Sequence, residues 1–204
     1  MRSNIKQLVL ASSNAGKLKE LSAIFADVDI EVLPQSQFDI VDVEETGTTF
    51  VENAILKAKH ASKISGLPAL GDDSGLVVPA LGGAPGIYSA RYAQETPDAP
   101  KSDAKNNEKL LAELAGIDDR RAAFVCVMAL CLSDTHPLPL LAEGIWQGEI
   151  ETAPHGDGGF GYDPLFFVPS HGMTAAEMNK AEKNRVSHRG QALQSLLAEL
   201  KGLR

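Results

Sequence analysis

The sequence predicts an α/β protein built on a mixed sheet, and three observations carry that expectation. Near the start an apolar run, Gln7 to Ala11, passes through a polar loop into Asn14 to Val28, where Leu18, Leu21, Ile24, Phe25 and Val28 recur at helical spacing. A short strand-like run from Ile30 to Leu33 is followed by a second helical stretch, opened by Thr49-Phe-Val-Glu52. Further on, two apolar runs, Ala122 to Leu132 and Leu138 to Ile150, are joined by Ser133-Asp-Thr-His-Pro, which reads as a long hairpin. Crossover helices imply parallel neighbours and a hairpin implies antiparallel ones, so helices should flank a sheet that holds both kinds.

Each element has its local reason. Gln7 to Ala11 is almost wholly apolar, the mark of a buried strand, and Ser13 or Asn14 can cap the helix that follows. Pro34 stops the second strand. The helix from Thr49 carries a stripe of Val51, Ala54, Ile55, Ala58 and Ala61 and ends at Gly66-Leu-Pro68. Asn53 and Lys57 sit four apart, off the centre of that stripe, so their side chains can reach one spot outside the core. Leu67 to Leu70 is a short apolar lead into Asp72-Asp73, and Ser74-Gly75 reads as a turn directly after them. Gln94 to Ser102 is polar and proline-bearing, an exposed loop, and Asp103 to Leu114 is helical in pattern. Alternation around Trp146 fits a half-buried strand, and Leu165 to Val168 a short buried one. Leu193, Leu196, Leu197, Leu200 and Leu203 make an amphipathic final helix capped by Ser187.

A chain of 204 residues can bury a sizeable core as one large domain, or as two lobes sharing a sheet; residues 1–204 are read as a single domain. No apolar run approaches the roughly 20 residues of a membrane span, and the N-terminal segment lacks a signal-peptide core. A cytoplasmic location is therefore expected. Cys126 and Cys131, five apart in one apolar run, point to opposite faces of a strand and read as buried thiols. The absence of Cys-x-x-Cys, with only five scattered histidines, argues against zinc. A net charge of −8 excludes a protein that coats nucleic acid, but not one that binds a small anion.

Several clusters carry candidate chemistry. Adjacent carboxylates repel, so Asp72 and Asp73 call for a cation, a donor or solvent; read alone, the tetrapeptide also suits a solvated turn. Glu44-Glu45 is a second acidic pair, which by itself reads as a solvated loop. One carboxylate from each pair would make a two-acid magnesium site, with water and phosphate oxygens completing the octahedron. Ala11-Ser-Ser-Asn-Ala-Gly16-Lys17 is no Walker motif, yet a polar loop that opens a helix aims N–H groups and Lys17 at an anion; its bland reading is an ordinary cap. Gly156-Asp-Gly-Gly-Phe-Gly161 matches G-x-G-x-x-G in letters only, because no strand leads into it and Asp163-Pro164 follows it. Its functional reading is Phe160 exposed as a base-stacking platform. Lys183, His188 and Arg189 place three potential cations near a helix start, against the dipole.

Taken in order, Ser12-x-Asn14-x-x-Lys17-x-x-Glu20, Glu44-Glu-Thr-Gly, Phe50-x-Glu-Asn-Ala, Asp72-Asp-Ser-Gly-Leu, Gly82-Gly-Ala-Pro-Gly-Ile-Tyr-Ser-Ala-Arg, Gly159-Phe-Gly-Tyr-Asp-Pro and Ser187-His-Arg-Gly resemble the inosine/xanthosine triphosphate pyrophosphatase family, from Leu8 to about Leu200. The departures are small: Gly71 stands where a residue with a side chain is expected, and Ser12-Ser13 replaces a common Thr-Gly. The resemblance implies an elongated α/β fold of two lobes with a central cleft, and a homodimer. It implies Mg2+-dependent hydrolysis of ITP, dITP and XTP to the monophosphate and pyrophosphate, which keeps deaminated purines out of DNA and RNA. By the same resemblance Ser12, Ser13, Asn14, Ala15, Gly16 and Lys17 would hold the triphosphate, with Lys57 a further phosphate contact. Glu44 and Asp73 would bind magnesium, and Asp73 would accept the proton of the attacking water. Ser74, Phe160, Gly161, Tyr162, Asp163, Lys183, His188 and Arg189 would touch the substrate. Lys183 and Arg189 are donors only, so they suit the 6-oxygen of hypoxanthine or xanthine and meet a second donor in adenine. The rival readings are a hydrolase of other modified nucleotides and a non-catalytic nucleotide-binding module.

Overall fold

The structure is a computed structural model that describes residues 5–96 and 98–202. Seven strands form one mixed sheet in the order β2-β1-β3-β4-β5-β6-β7. They are β1 (Gln7–Leu10), β2 (Glu31–Pro34), β3 (Ala69–Val77), β4 (Arg121–Cys131), β5 (Leu140–Ile150), β6 (Phe166–Val168) and β7 (Met173–Thr174). The helices are α1 (Ala15–Ala26), α2 (Phe50–Ser65), α3 (Asp103–Glu113), α4 (Lys180–Val186) and α5 (His188–Gly202). β1 runs parallel to both β2 and β3, whereas β6 is antiparallel to β5 and β7. The mixed sheet predicted from crossovers plus a hairpin is thus the one observed.

The chain divides into two compact units. The first comprises Met1–Asp73, Val127–Glu143 and Ala192–Arg204, and the second Ser74–Cys126 and Gly144–Gln191. The boundaries fall inside β3, β4, β5 and α5.

In the first unit β2 and β3 lie on opposite sides of β1, so right-handed crossovers carry α1 over one face of the sheet and α2 over the other. α1 starts where the Asn14 side chain accepts the Lys17 N–H. α2 starts with a full Thr49–Glu52 capping box and stops at Gly66, whose φ of 69° suits glycine. The face α2 buries is small: Ala54, Ala58 and Ala61, with Asn53 and Ser62. Val51 and Ile55, expected in that stripe, are half-buried. Small residues permit a close approach, and Gly71 completes it. A Cβ at Gly71 would lie 2.3 Å from the Ala54 carbonyl oxygen and 2.8 Å from the Ala58 nitrogen. Val9, Ala11, Leu33, Ile40, Ala61 and Ala69 fill the core beside it.

The second unit packs on aromatics. Phe124, Trp146 and Phe166 meet with the Phe124 and Phe166 centroids 4.5 Å apart, above Leu76, Val78, Leu110 and Leu114. β5 alternates buried and exposed residues along its length, as the pattern around Trp146 predicts. Gly148 lets β5 close on β6, since a Cβ there would sit 2.4 Å from the Phe167 oxygen.

Three expectations are corrected. Ser74-Gly75 is not a turn: β3 continues through Asp72, Asp73, Ser74 and Gly75 to Val77, so the aspartates lie mid-strand. Lys183 does not oppose a helix dipole, because it occupies the last turn of α4, where a cation is favoured. Gly71 has no room for the side chain expected there, because β3 approaches the backbone of α2 too closely at that point. Cys126 and Cys131 are buried and unbridged. In α5 Leu193, Leu196 and Leu200 are buried and Leu197 half-buried. Leu203 and the segment before Ile5 lie outside the described residues.

Candidate active site

Strand geometry explains how two adjacent carboxylates coexist in the first unit. Side chains alternate along β3, so Asp73 shares the α2 face with Gly71 while Asp72 turns toward α1. The Lys17 ammonium of α1 donates to both Asp72 oxygens at 2.7 and 3.0 Å. On the other face Asp73 accepts from Lys57 Nζ at 3.1 Å and from Asn53 Nδ2 at 3.3 Å. Asn53 and Lys57, four apart on α2, do converge on one spot as their spacing predicts. Asn53 is nevertheless inside the core, not outside it: it is fully buried, and its Oδ1 accepts the Gly47 N–H at 2.8 Å.

Lys57 also donates to Glu45 Oε1 at 2.8 Å, so two carboxylates share one ammonium. Burial pushes the Asp73 carboxyl above its ordinary range; Lys57 opposes the rise and Glu45 adds to it. Burial alone would lower Lys57, but Asp73 and Glu45 outweigh it and the ammonium is held more firmly than usual. The acidic residue in contact with this cluster is Glu45, while Glu44 is exposed beside it.

Ser13 and Asn14 are exposed ahead of α1, and Ala15 and Gly16 are exposed at its first two positions. Asn14 holds the loop twice: its N–H donates to Ser12 Oγ at 3.2 Å and its side chain takes the Lys17 N–H. Ser13 Oγ donates to Asp42 at 3.1 Å. The opening amides of such a helix face outward, the standard setting for an anion.

Among the described residues no three His, Cys, Asp or Glu side chains group as a cage for an ion. A cation held by carboxylates here would take a pair of them at most and draw its other ligands from solvent or phosphate, which is how magnesium is commonly bound.

The second unit holds a different arrangement. Gly159 and Gly161 have φ of 77° and 62°, and the loop they shape displays Phe160, a residue 64 % exposed. A Cβ at Gly159 would collide with the Asp163 carboxylate. Asp163 is buried and accepts both the Phe160 N–H, at 2.7 Å, and the Lys183 ammonium. Lys183 Nζ lies 5.2 Å from the Phe160 ring centroid. Tyr162 is buried and its hydroxyl donates to the Ser89 carbonyl. At the start of α5 His188 stacks on Phe124 with centroids 4.9 Å apart. Arg189 Nε is buried with no hydrogen-bond partner among the described residues. Ser187 Oγ accepts the Gly190 N–H, which confirms the cap, and Gly190 packs on α4 where a Cβ would be 1.9 Å from the Asn184 oxygen.

Lys17, Lys57 and Asp73 therefore belong to one unit, and Phe160 to Asp163, Lys183, His188, Arg189 and Ser74 to the other. Sequence reasoning missed the Lys17–Asp72 pair and the part played by Glu45. It also missed Asp103 and Asn107, which bond to Gly161. Their i, i+4 spacing on a predicted helix was a signal, but it named no target.

Comparison with known proteins adds to this geometry. The chain matches the Ham1 family over residues 8–199. It is 56% identical over 198 residues to the dITP/XTP pyrophosphatase of Bordetella pertussis, covering 97% of this chain and 92% of that one. It is 56% identical over 197 residues to the dITP/XTP pyrophosphatase of Chromobacterium violaceum, covering 97% and 98%. A HAM1 protein from Coxiella burnetii superposes with a TM-score of 0.91 at 50% identity, covering 97% of this chain and 100% of that one. The Staphylococcus aureus Ham1 protein gives 0.89 at 46% identity, covering 98% and 100%. An unbroken match to the family over nearly the whole length, with a fold shared at half-identical sequence, makes this chain a member of the Ham1 family.

Proposed function

We propose that this protein hydrolyses non-standard purine nucleoside triphosphates, dITP, ITP and XTP, to the monophosphate and pyrophosphate, with magnesium as its metal. The observation that carries the reading is Asp73: a mid-strand carboxylate made more basic by burial, yet held by Lys57 and Asn53. Relatives over half identical are named for this activity on dITP and XTP. A homodimer working in the cytoplasm is part of the same proposal.

Each residue's part follows from its chemistry. Asp73 accepts the proton of the water that attacks the α-phosphorus; a carboxylate lifted above its ordinary range takes a proton more readily. Lys57 keeps that carboxylate oriented and ionised between turnovers. The amides of the Ser12–Lys17 loop and the Lys17 ammonium receive phosphate oxygens; Lys17 then exchanges one anionic partner, Asp72, for another. Glu44 and Asp73 would hold magnesium, which when bound would neutralise charge on the triphosphate and on the departing pyrophosphate.

In the second unit Phe160 offers an exposed ring for a base, with Lys183 fixed above it by Asp163 as a donor for the purine 6-oxygen. Ser74, Gly161, Tyr162, His188 and Arg189 complete the substrate contacts. An adenine amino group would leave Lys183 and Arg189 facing a donor, a mismatch that discriminates strongly. A panel of nucleoside triphosphates with magnesium, scored for pyrophosphate against orthophosphate, tests the reading. Pyrophosphate from dITP and XTP, with ATP nearly inert, is expected; orthophosphate alone would exclude it.

A further inference from the structure

The glycine loop invites one reading that its hydrogen bonds forbid. Phe160 N–H and Gly161 N–H are successive amides in a stretch where Gly159 and Gly161 both have positive φ, a glycine-shaped backbone of the kind that can form an anion-binding nest. Both amides are occupied from within the chain. Asp163 Oδ2 accepts the first at 2.7 Å and Asp103 Oδ2 accepts the second at 2.7 Å. Asn107, one turn beyond Asp103 on α3, donates its Nδ2 to the Gly161 carbonyl at 3.0 Å. Gly161 is thus gripped on both its N–H and its C=O by one helix. The Asn107 Oδ1 is buried with no hydrogen-bond partner among the described residues, a cost that this single donor bond must offset. What the loop leaves on display is a ring, not a cradle of amides.

We propose that Asp103 and Asn107 are positioning residues for base recognition: the first turns of α3 lock Gly161 so that Phe160 presents its ring at a fixed angle beneath Lys183. Neither side chain need touch the nucleotide. The inference rests on the reading of Phe160 as the base platform, and it adds a determinant of selectivity far from that loop in the sequence. A loosened ring weakens ground-state and transition-state binding alike, so its loss belongs in KM and not in kcat.

The test compares Asp103→Ala, Asp103→Asn and Asn107→Ala with the parent. It uses two readouts: hydrogen exchange of the peptide spanning 158–163, and KM and kcat for dITP with magnesium. Asp103→Asn removes the carboxylate's favourable charge at the helix start but keeps an oxygen that can accept the Gly161 N–H, so it separates the grip from helix stability. Asp103→Ala should exchange faster at 158–163 and raise KM about tenfold, the effect of one charge-assisted hydrogen bond, with kcat within about twofold. Asn107→Ala should move both readouts the same way by less, and Asp103→Asn should return them to within about threefold of the parent. The proposal is overturned if exchange does not change in Asp103→Ala, if exchange rises while KM stays put, if kcat falls in step with the rise in KM, or if Asp103→Asn behaves like Asp103→Ala. A parent that releases no pyrophosphate from dITP would overturn the proposed function instead. The grip would then stand or fall on exchange together with calorimetric dITP binding.

Discussion

The two units hold their polar residues by opposite means. Around β3 in the first, lysines from two helices neutralise carboxylates on opposite faces of a strand, and two acids share one ammonium. Around Gly159–Gly161 in the second, the chain's own aspartates close off backbone amides, and one lysine lies over an aromatic ring. The contrast teaches that glycine content is a poor guide to which loop stays open to solvent. At the tip of the glycine-dense loop the Phe160 and Gly161 amides are filled, whereas the stretch from Ser13 to Gly16, with a single glycine, is exposed at the start of α1.

Four expected outcomes would break or sharpen this comparison. The largest is Asp73→Asn, which removes the proposed proton acceptor of the first unit and should lower kcat for dITP about 10³-fold. Comparable loss from Asp163→Asn, measured the same way, would erase the division of labour. Next is Gly71→Ala, whose new methyl meets α2 backbone and should cost about 3 kcal/mol in urea unfolding. Phe160→Ala should raise KM for dITP about tenfold while kcat stays nearly constant, the size of one base–aromatic stack.

The smallest concerns Glu182, whose carboxyl Arg185 and His171 lower from 4.5 to about 2. A lowered carboxyl stabilises the fold above its unfolded value and loses that contribution as pH falls through the folded value. Urea midpoints of the parent and of Glu182→Gln should therefore differ at pH 6 and converge between pH 4.5 and about 2.

Much of this was legible in the residues. Helix-spaced leucines, the Thr49–Glu52 box and Pro34 marked elements close to where they occur, because those signals are local. The convergence of Asn53 and Lys57 was legible too, since i, i+4 spacing sets it. The course of β3 was not. Asp-Asp-Ser-Gly has the composition of a turn, and partners such as Lys17 and Lys57, 55 and 16 residues away, make its carboxylates tolerable inside a sheet. Which glutamate of the pair 44–45 meets Lys57 depends on the parity of an irregular segment, which composition does not encode. The Asp103–Gly161 bond spans 58 residues and has no periodicity to betray it.

On the ribosome the two units are completed in the reverse of the order in which they begin. The second unit has all of its residues once Gln191 has been added, whereas the first, begun earliest, still lacks the stretch from Ala192 onward. The segment bearing Lys17, Lys57 and Asp73 is among the first to emerge and the last to be sealed, with Leu193, Leu196 and Leu200 supplying the final apolar cover. Nascent chains stalled with Gln191 as their last emerged residue should therefore expose the first unit to proteases while the aromatic second unit already resists them.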